Sequence, residues 1–198
     1  MLSFKDSLKV LKKTRALLEG HFILSSGLHS NRYVQCAKLL SNPKSASKIC
    51  NSLVEKISNF FPSIDLILSP ALGGIIIGYE IGRRLNKETI FSERVKGKFK
   101  LRRSFSIKKN ANVLIVEDVI TTGKSILECA KLVREANAKV LGFACIIDRS
   151  NRKSLLIKKN KIISQIKISI PTYNKNALPT FLKKIPATKP GSHFLKYK

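Results

Sequence analysis

Val113-Leu114-Ile115-Val116-Glu117-Asp118-Val119-Ile120-Thr121-Thr122-Gly123-Lys124-Ser125 is the stretch on which the fold turns. Four consecutive apolar residues, mostly β-branched, suit a strand buried on both faces, and such strands are usually parallel ones covered by helices. Two carboxylates close the run. A short polar turn with Gly123 follows, and Ile126-Leu127-Glu128-Cys129-Ala130-Lys131-Leu132-Val133 then sets apolar residues at helical spacing. The turn therefore lies at a helix N-terminus, where unpaired N–H groups and the positive end of the helix dipole favour a phosphate beside Thr121, Thr122 and Ser125. Gly123-Lys124-Ser125 is not the end of a P-loop, because that motif needs glycine where the chain has Asp118.

The 198 residues suffice for one domain with a conventional core. Cys36, Cys50, Cys129 and Cys145 are widely spaced and form no C-x-x-C pair, so reduced buried thiols are expected instead of a zinc or redox motif. The N-terminal segment is amphipathic and contains Asp6, and the apolar stretch over 64–81 is broken by Asp65, Pro70, Gly73-Gly74 and Glu80. A cytoplasmic protein with no membrane association is expected. The net charge of +26 invites a nucleic-acid partner. Its lysines are scattered from end to end, however, without the Arg- and aromatic-rich stretch that stacks bases, so no specific nucleic acid is expected. The field would still attract polyanionic small substrates.

Working outward, Ser3 and Asp6 resemble a capping box, and Leu8, Leu11 and Leu18 extend a helix over 4–19. Residues 21–36 read as short strands around a polar turn, with His21 and His29 expected to hydrogen-bond or face solvent instead of acting in catalysis. Pro43 opens a helix to about Phe60, and residues 65–69 form a buried strand. The pair Gly73-Gly74 before a helix over 75–85 makes a second anion loop or a tight helix–sheet contact. After a strand over 89–91, six basic residues around Gly97 in 92–104 suggest a mobile loop able to close over a charged substrate, or simply a solvated surface. Residues 139–147 form another strand, ending in Asp148-Arg149, where Arg149 could fork onto a carboxylate or pair with Asp148 or Asp118. A strand over 162–170, a helix over 173–184 and a turn over 186–192 complete the chain.

An acidic pair closing an apolar strand before Thr121-Thr122-Gly123 resembles the phosphoribosyl-pyrophosphate (PRPP) signature of the type I phosphoribosyltransferases. Gly20-His21-Phe22-Ile23-Leu24-Ser25-Ser26-Gly27-Leu28-His29-Ser30, Pro70-Ala71-Leu72-Gly73-Gly74, Glu93-Arg94, Leu101-Arg102-Arg103-Ser104-Phe105 and Ile147-Asp148-Arg149 resemble the bacterial orotate members in the same order. The resemblance covers about 14–192. It implies one α/β domain over 1–198, with a central mostly parallel sheet flanked by helices, a mobile loop over 93–104 and a small hood from 14–36 and 162–192.

The resemblance also implies roles. PRPP would lie against Leu72, Gly73, Glu117, Asp118, Val119, Ile120, Thr121, Thr122, Gly123, Lys124 and Ser125, with the two acids on the ribose hydroxyls and Leu72-Gly73 on the pyrophosphate. Tyr33, Val34, Thr121 and Arg149 would form the orotate site. Asp118 and the loop cations Arg94, Lys96, Lys98 and Arg102 or Arg103 would be catalytic, the loop reaching the neighbouring subunit of a homodimer. Mg²⁺ would be held mainly by PRPP, with no metal ligand assigned directly to the chain.

The expected reaction is transfer of phosphoribose from PRPP to orotate, giving orotidine 5′-monophosphate and pyrophosphate in pyrimidine biosynthesis. Alternatives are a purine phosphoribosyltransferase, disfavoured by Arg149, and a non-catalytic PRPP- or RNA-binding regulator on the same fold. The chain departs from the family at Ser25, where some members have lysine, and at Ser104, where glycine is usual. It also has Ala177-Leu178-Pro179-Thr180 in place of a Cys-Pro-Leu-Cys segment, and His193 where arginine is common.

Overall fold

A computed structural model describes residues 1–24, 26–150, 155–157 and 162–190. The departures noted at Ser25 and His193, and the end of the 186–192 turn, lie outside the described residues. The chain runs α1 (Phe4–Lys13), β1 (Leu17–Ile23), β2 (His29–Val34), α2 (Cys36–Leu40), α3 (Pro43–Phe60), β3 (Leu66–Pro70), α4 (Gly73–Leu85), β4 (Glu88–Val95) and β5 (Lys98–Leu101). It continues through β6 (Asn112–Ile120), α5 (Lys124–Glu135), β7 (Lys139–Asp148), β8 (Ile162–Lys167), β9 (Thr172–Tyr173) and α6 (Thr180–Lys183).

The main sheet has the order β5-β4-β3-β6-β7-β8. All its neighbours are parallel except the β4–β5 pair. Strand β6 lies inside this sheet and is covered on both sides, as its unbroken apolar run requires. Leu114 and Val116 join a core with Leu53, Ile57, Ile77 and Ile81 of α3 and α4. Val113 and Ile115 face the opposite way, onto Ile126, Cys129 and Val133 of α5. The four cysteines are free and buried. Helix α4 can lie close to the sheet because side chains at Gly78 and Gly82 would collide with Ser69 and Thr89.

The first helix stops six residues short of the expected end. Ser3 caps it, accepting from the Asp6 N–H at 3.1 Å, but Arg15 then takes the left-handed conformation with φ 57°. The Arg15 N–H reaches the Lys12 carbonyl at 3.0 Å and the Ala16 N–H the Leu11 carbonyl at 2.9 Å. This is the Schellman pattern, usually built on glycine. With arginine in that place the stop is hidden in the sequence, and Leu17 and Leu18 start β1 instead of continuing the helix.

Two further expectations change. Most of 92–104 is a β-hairpin, with Ser92 paired to Leu101 and Val95 to Lys98. Lys96 and Gly97 at its tip both have positive φ, 48° and 79°, as a two-residue hairpin turn requires. The alternation of exposed lysines with buried Phe99 in Lys98-Phe99-Lys100 is the strand signal. Near the C-terminus, β8 belongs to the main sheet, so the hood draws on the tail only from Thr172. The helix expected over 173–184 is reduced to a 3₁₀ turn at Lys175–Ala177 and the short α6. Pro179 separates them, having no N–H to donate and holding Leu178 extended at ψ 133°.

The hood is the antiparallel sheet β1-β2-β9, closed by the tail, whose Thr188 bridges to Phe22. His21 and His29 are not solvated. Both are buried, with His21 Nε2 2.7 Å from His29 Nδ1 and His21 Nδ1 2.8 Å from the Ile185 carbonyl oxygen.

Because Arg15 is exposed and left-handed, Arg15→Gly is expected to stabilise the fold by about 1 kcal/mol, the usual cost of that backbone region for a residue with a Cβ. Chemical denaturation of the two proteins measures the difference.

Candidate active site

The carboxyl ends of β3, β4, β6 and β7 converge at one edge of the main sheet, the edge at which open parallel sheets bind ligands. Of the four helices with ten or more residues, α1 and α3 are capped by side chains, Ser3 and Asn42. The two that start at this edge, α4 and α5, have no side-chain cap. Apart from a long contact of the Lys124 N–H with Thr122 Oγ1 at 3.4 Å, the N–H groups that open these helices have no side-chain acceptor among the described residues, and the dipole at each favours an anion.

At the start of α5, Gly123 has φ 80°, a conformation that opens the Thr121–Thr122 turn into the helix without a Cβ penalty. Thr121 and Thr122 are exposed, as is Lys124, and Ser125 is half-buried. A side chain on Gly123 would meet Leu155 and Ile157, and the Leu156 N–H donates to the Thr122 carbonyl at 2.9 Å. This buttress under the turn comes from a segment whose sequence carries no motif.

The two acids that end β6 are half-buried. Burial first, and then the charge of Asp118, pushes the Glu117 carboxyl up to about 7, opposed by a hydrogen bond from Ser125 and by the charge of Arg94. Burial also raises Asp118, whose carboxylate accepts from the Val119 N–H at 2.9 Å. Gly73 is where it is for this acid: a Cβ there would lie 2.7 Å from Asp118 Oδ1. Gly74 instead serves packing, with Pro70 and the Val116 carbonyl 3.1 Å from a Cβ position. Of the two readings of the glycine pair, the tight helix–sheet contact is thus seen at Gly74. Leu72, joined to Ala71 by a cis peptide bond, is 85% exposed at the mouth of the site.

Arg149 follows β7 and is anchored by its N–H on the Ile120 carbonyl at 2.9 Å. The alternative of a salt bridge to a neighbouring acid does not hold. Asp148 pairs with Lys167 at 3.2 Å and accepts from both the Ser150 N–H and hydroxyl, and Asp118 turns to Val119. Among the described residues no carboxylate pairs with Arg149, whose guanidinium is kept below its ordinary range by burial and influenced in the other direction by Tyr33. Tyr33 and Val34, at the end of β2, bring the hood to this point, Tyr33 resting 5.8 Å from the Phe22 ring. Val119 and Ile120 face inward as the last residues of β6, Ile120 fully buried, so only their backbone could serve a ligand.

The loop cations divide into two ion-paired arginines and three exposed residues. Arg94 is paired with Glu128 at 3.1 Å and Arg103 with Glu93 at 2.8 Å. Lys96 and Lys98 are exposed beside the hairpin tip, and Arg102 is exposed at its base. Arg103 and Ser104 have φ 56° and 59°, so the serine occupies a backbone conformation in which glycine would be free of strain.

A buried carboxyl raised to about 7 binds its proton more tightly in the folded than in the unfolded chain, so its ionisation costs stability as pH rises from 4.5 through 7. Glu117→Gln is therefore expected to be more stable than the parent above pH 7, by about 1–3 kcal/mol, the gain shrinking towards zero near pH 4.5. Denaturant melts at pH 5 and pH 8 measure it.

Comparison with known proteins agrees with this geometry. Residues 35–177 match the phosphoribosyl transferase domain family. The chain is 44% identical over 186 residues to an orotate phosphoribosyltransferase of Chlorobium phaeobacteroides, covering 94% of each protein. The crystal structure of orotate phosphoribosyltransferase from Aeropyrum pernix superposes with a TM-score of 0.68 at 25% identity, over 81% of this chain and 92% of that one. Adenine phosphoribosyltransferase from Thermoanaerobacter pseudethanolicus, at 19% identity and a TM-score of 0.59 over 69% of this chain and 88% of its own, shares the fold. The turn at the uncapped helix α5, the paired acids and an arginine with no carboxylate partner among the described residues thus stand in a chain that belongs to the phosphoribosyltransferase family, among its orotate phosphoribosyltransferases.

Proposed function

We infer that the chain transfers the 5-phosphoribosyl group of PRPP to orotate, releasing pyrophosphate. The observation that carries the acceptor is Arg149, a half-buried guanidinium at the sheet edge with no carboxylate partner among the described residues. Its fork matches a planar carboxylate through two parallel hydrogen bonds. A purine base offers no such group, which disfavours the purine alternative.

The donor side follows from the two uncapped helices. The turn 121–125 would hold the 5′-phosphate through N–H and hydroxyl groups, and Leu72-Gly73 would offer backbone to the pyrophosphate. Glu117 and Asp118 would accept from the ribose hydroxyls. As C1′ loses pyrophosphate to a pyrimidine nitrogen, positive charge builds on the ribose and negative charge on the leaving group. Glu117, ionised above pH 7, and its neighbour Asp118 suit the first charge, and the hairpin cations the second. Among the described residues no group of three or more metal-binding side chains comes together. Mg²⁺ would be held mainly by the diphosphate, where it would spread the negative charge of the leaving group.

A homodimer with shared sites is part of this reading. It is supported by the exposed Lys96 and Lys98, which project from the hairpin without a described partner, and by Leu72, Ile76 and Tyr79, 85%, 52% and 64% exposed along α4. Apolar surface spaced in this way along one helix suits a second copy. Among the described residues no helix is long and apolar enough to cross a membrane, which fits the cytoplasmic location proposed with this function.

Loss of orotate absorbance with purified protein, PRPP and Mg²⁺ is the direct test, and turnover of a purine base instead would overturn the assignment. Sequence-selective RNA binding without turnover would favour the regulator. Arg149→Ala is expected to raise the orotate KM by about 10- to 100-fold, the cost of a charged hydrogen-bond pair, with a smaller change in the PRPP KM. Asp118→Asn should lower kcat. If the sites are shared, mixing Arg149→Ala with a Lys96→Ala/Lys98→Ala variant should give more turnover at low orotate than either homodimer alone.

A further inference from the structure

Arg149 stands between two residues that are more buried than it is. Asp148 is 4% exposed and Ser150 8%, while the arginine between them is half-buried. The Asp148 carboxylate spans the arginine, Oδ1 accepting from the Ser150 N–H at 2.8 Å and from the Ser150 hydroxyl at 2.6 Å. Both bonds end on one oxygen, so the three residues make a single tight turn with Arg149 at its middle. The main chain of the arginine is fixed independently, its N–H on the Ile120 carbonyl at 2.9 Å.

A buried carboxylate is unfavourable unless it is paired and hydrogen-bonded, and a turn that merely ends a strand does not need one. Here the second carboxylate oxygen meets Lys167 Nζ at 3.2 Å, and the Asp148 carbonyl accepts from the Ile168 N–H at 2.9 Å. Lys167 is the last residue of β8 and lies in register with Asp148. Asp148 is thus tied through side chain and main chain to the point where the chain leaves the main sheet for the hood. Three residues beyond Ile168, the Pro171 carbonyl accepts from the Ser30 hydroxyl at 2.8 Å. Strand β9 then pairs with β2, Thr172 with Ser30 and Tyr173 with His29. Tyr33 and Val34 lie at the end of that same β2. One short segment therefore connects Asp148 to the strand that carries the hood side of the acceptor site.

We propose that Asp148 is a positioning residue for the acceptor. It sets the backbone from which Arg149 reaches the orotate carboxylate, and it registers that arginine against the hood strand bearing Tyr33 and Val34. A guanidinium fork gains its two parallel hydrogen bonds only when its plane is aligned with the carboxylate, and a long side chain on a loose turn loses that alignment. Asp148 acts through Arg149 and touches no substrate itself. The proposal rests on the orotate reading of Arg149 above.

The test follows both KM values, kcat and melting temperature in the full-length protein with PRPP and orotate as substrates. Asp148→Ala removes the oxygen that both Ser150 bonds share, and the orotate KM is expected to rise about tenfold, with the PRPP KM within about twofold of the parent. Asp148→Asn keeps that oxygen, and Lys167, whose side chain is 48% exposed, can turn to water. Its orotate KM should return to within about threefold of the parent. Ser150→Ala removes only the hydroxyl bond and provides the readout even where Asp148→Ala does not fold. It should raise the orotate KM about threefold, again without moving the PRPP KM. Over Arg149→Ala, neither alanine substitution should add more than about twofold. A purely structural role would instead lower the melting temperature, move both KM values together and persist in the Arg149→Ala background. Equal shifts in both KM values, a parental orotate KM in the alanine variants, an Asp148→Asn variant as impaired as Asp148→Ala, or full additivity with Arg149→Ala would overturn the proposal while the reaction assignment stands. An unchanged orotate KM in Arg149→Ala, or no orotate turnover in the parent, would overturn both.

Discussion

The N–H groups that open α4 and α5 must find an acceptor, and among the described residues neither N-cap side chain supplies one, the Thr122 hydroxyl reaching only the Lys124 N–H at a long 3.4 Å. Elsewhere the chain meets the same requirement locally, with Ser3 on α1 and Asn42 on α3. At the sheet edge it leaves two helix starts side by side and then places acids within the same few residues. Anion-seeking dipoles and cation-seeking carboxylates would be a poor pairing in a purely structural role. They make sense for a ligand that carries phosphate at its ends and develops positive charge between them. Burial of Glu117 and Asp118 beside Gly73 keeps the two kinds of group apart, because it fixes the carboxylates at the end of the sheet and leaves only backbone at Gly73, where a side chain would meet Asp118.

Much of this was legible because the relevant signals are local. The run from Val113 to Val116 could only be a covered strand, and Gly123 had to be the hinge into a helix. Pro43 and the Asn42 side chain set the start of α3 where expected, and the helix ends at Phe60 as expected. The acids, the turn and Arg149 meet because parallel strands deliver their carboxyl ends to one edge, a property of the fold and not of any single segment.

What escaped the sequence was hidden for particular reasons. The end of α1 rests on Arg15 in a conformation usually taken by glycine, so composition pointed to Gly20. The hairpin at 88–101 turns on Lys96-Gly97 instead of the Asn-Gly or Asp-Gly that marks such turns, and its dense charge obscured a period-two pattern. Leu155 and Ile157 support the phosphate turn through contacts that depend on chain direction after β7. Glu128 looked like one more polar residue on an amphipathic helix. Its ion pair with Arg94 comes from the hairpin folding back onto it, which no spacing within α5 could reveal.

The paired histidines of the hood constrain where protons sit. A backbone carbonyl has no hydrogen to give, so His21 must carry one on Nδ1 to meet Ile185. In a neutral pair that makes His21 Nε2 a lone-pair acceptor and obliges His29 to bear its hydrogen on Nδ1. Burial above all holds His29 below the usual imidazole range, which favours its neutral form. One tautomer of each ring is thereby selected by a carbonyl 164 residues further along the chain. The C-terminal tail, by closing the hood, also decides which imidazole nitrogen of His29 remains bare.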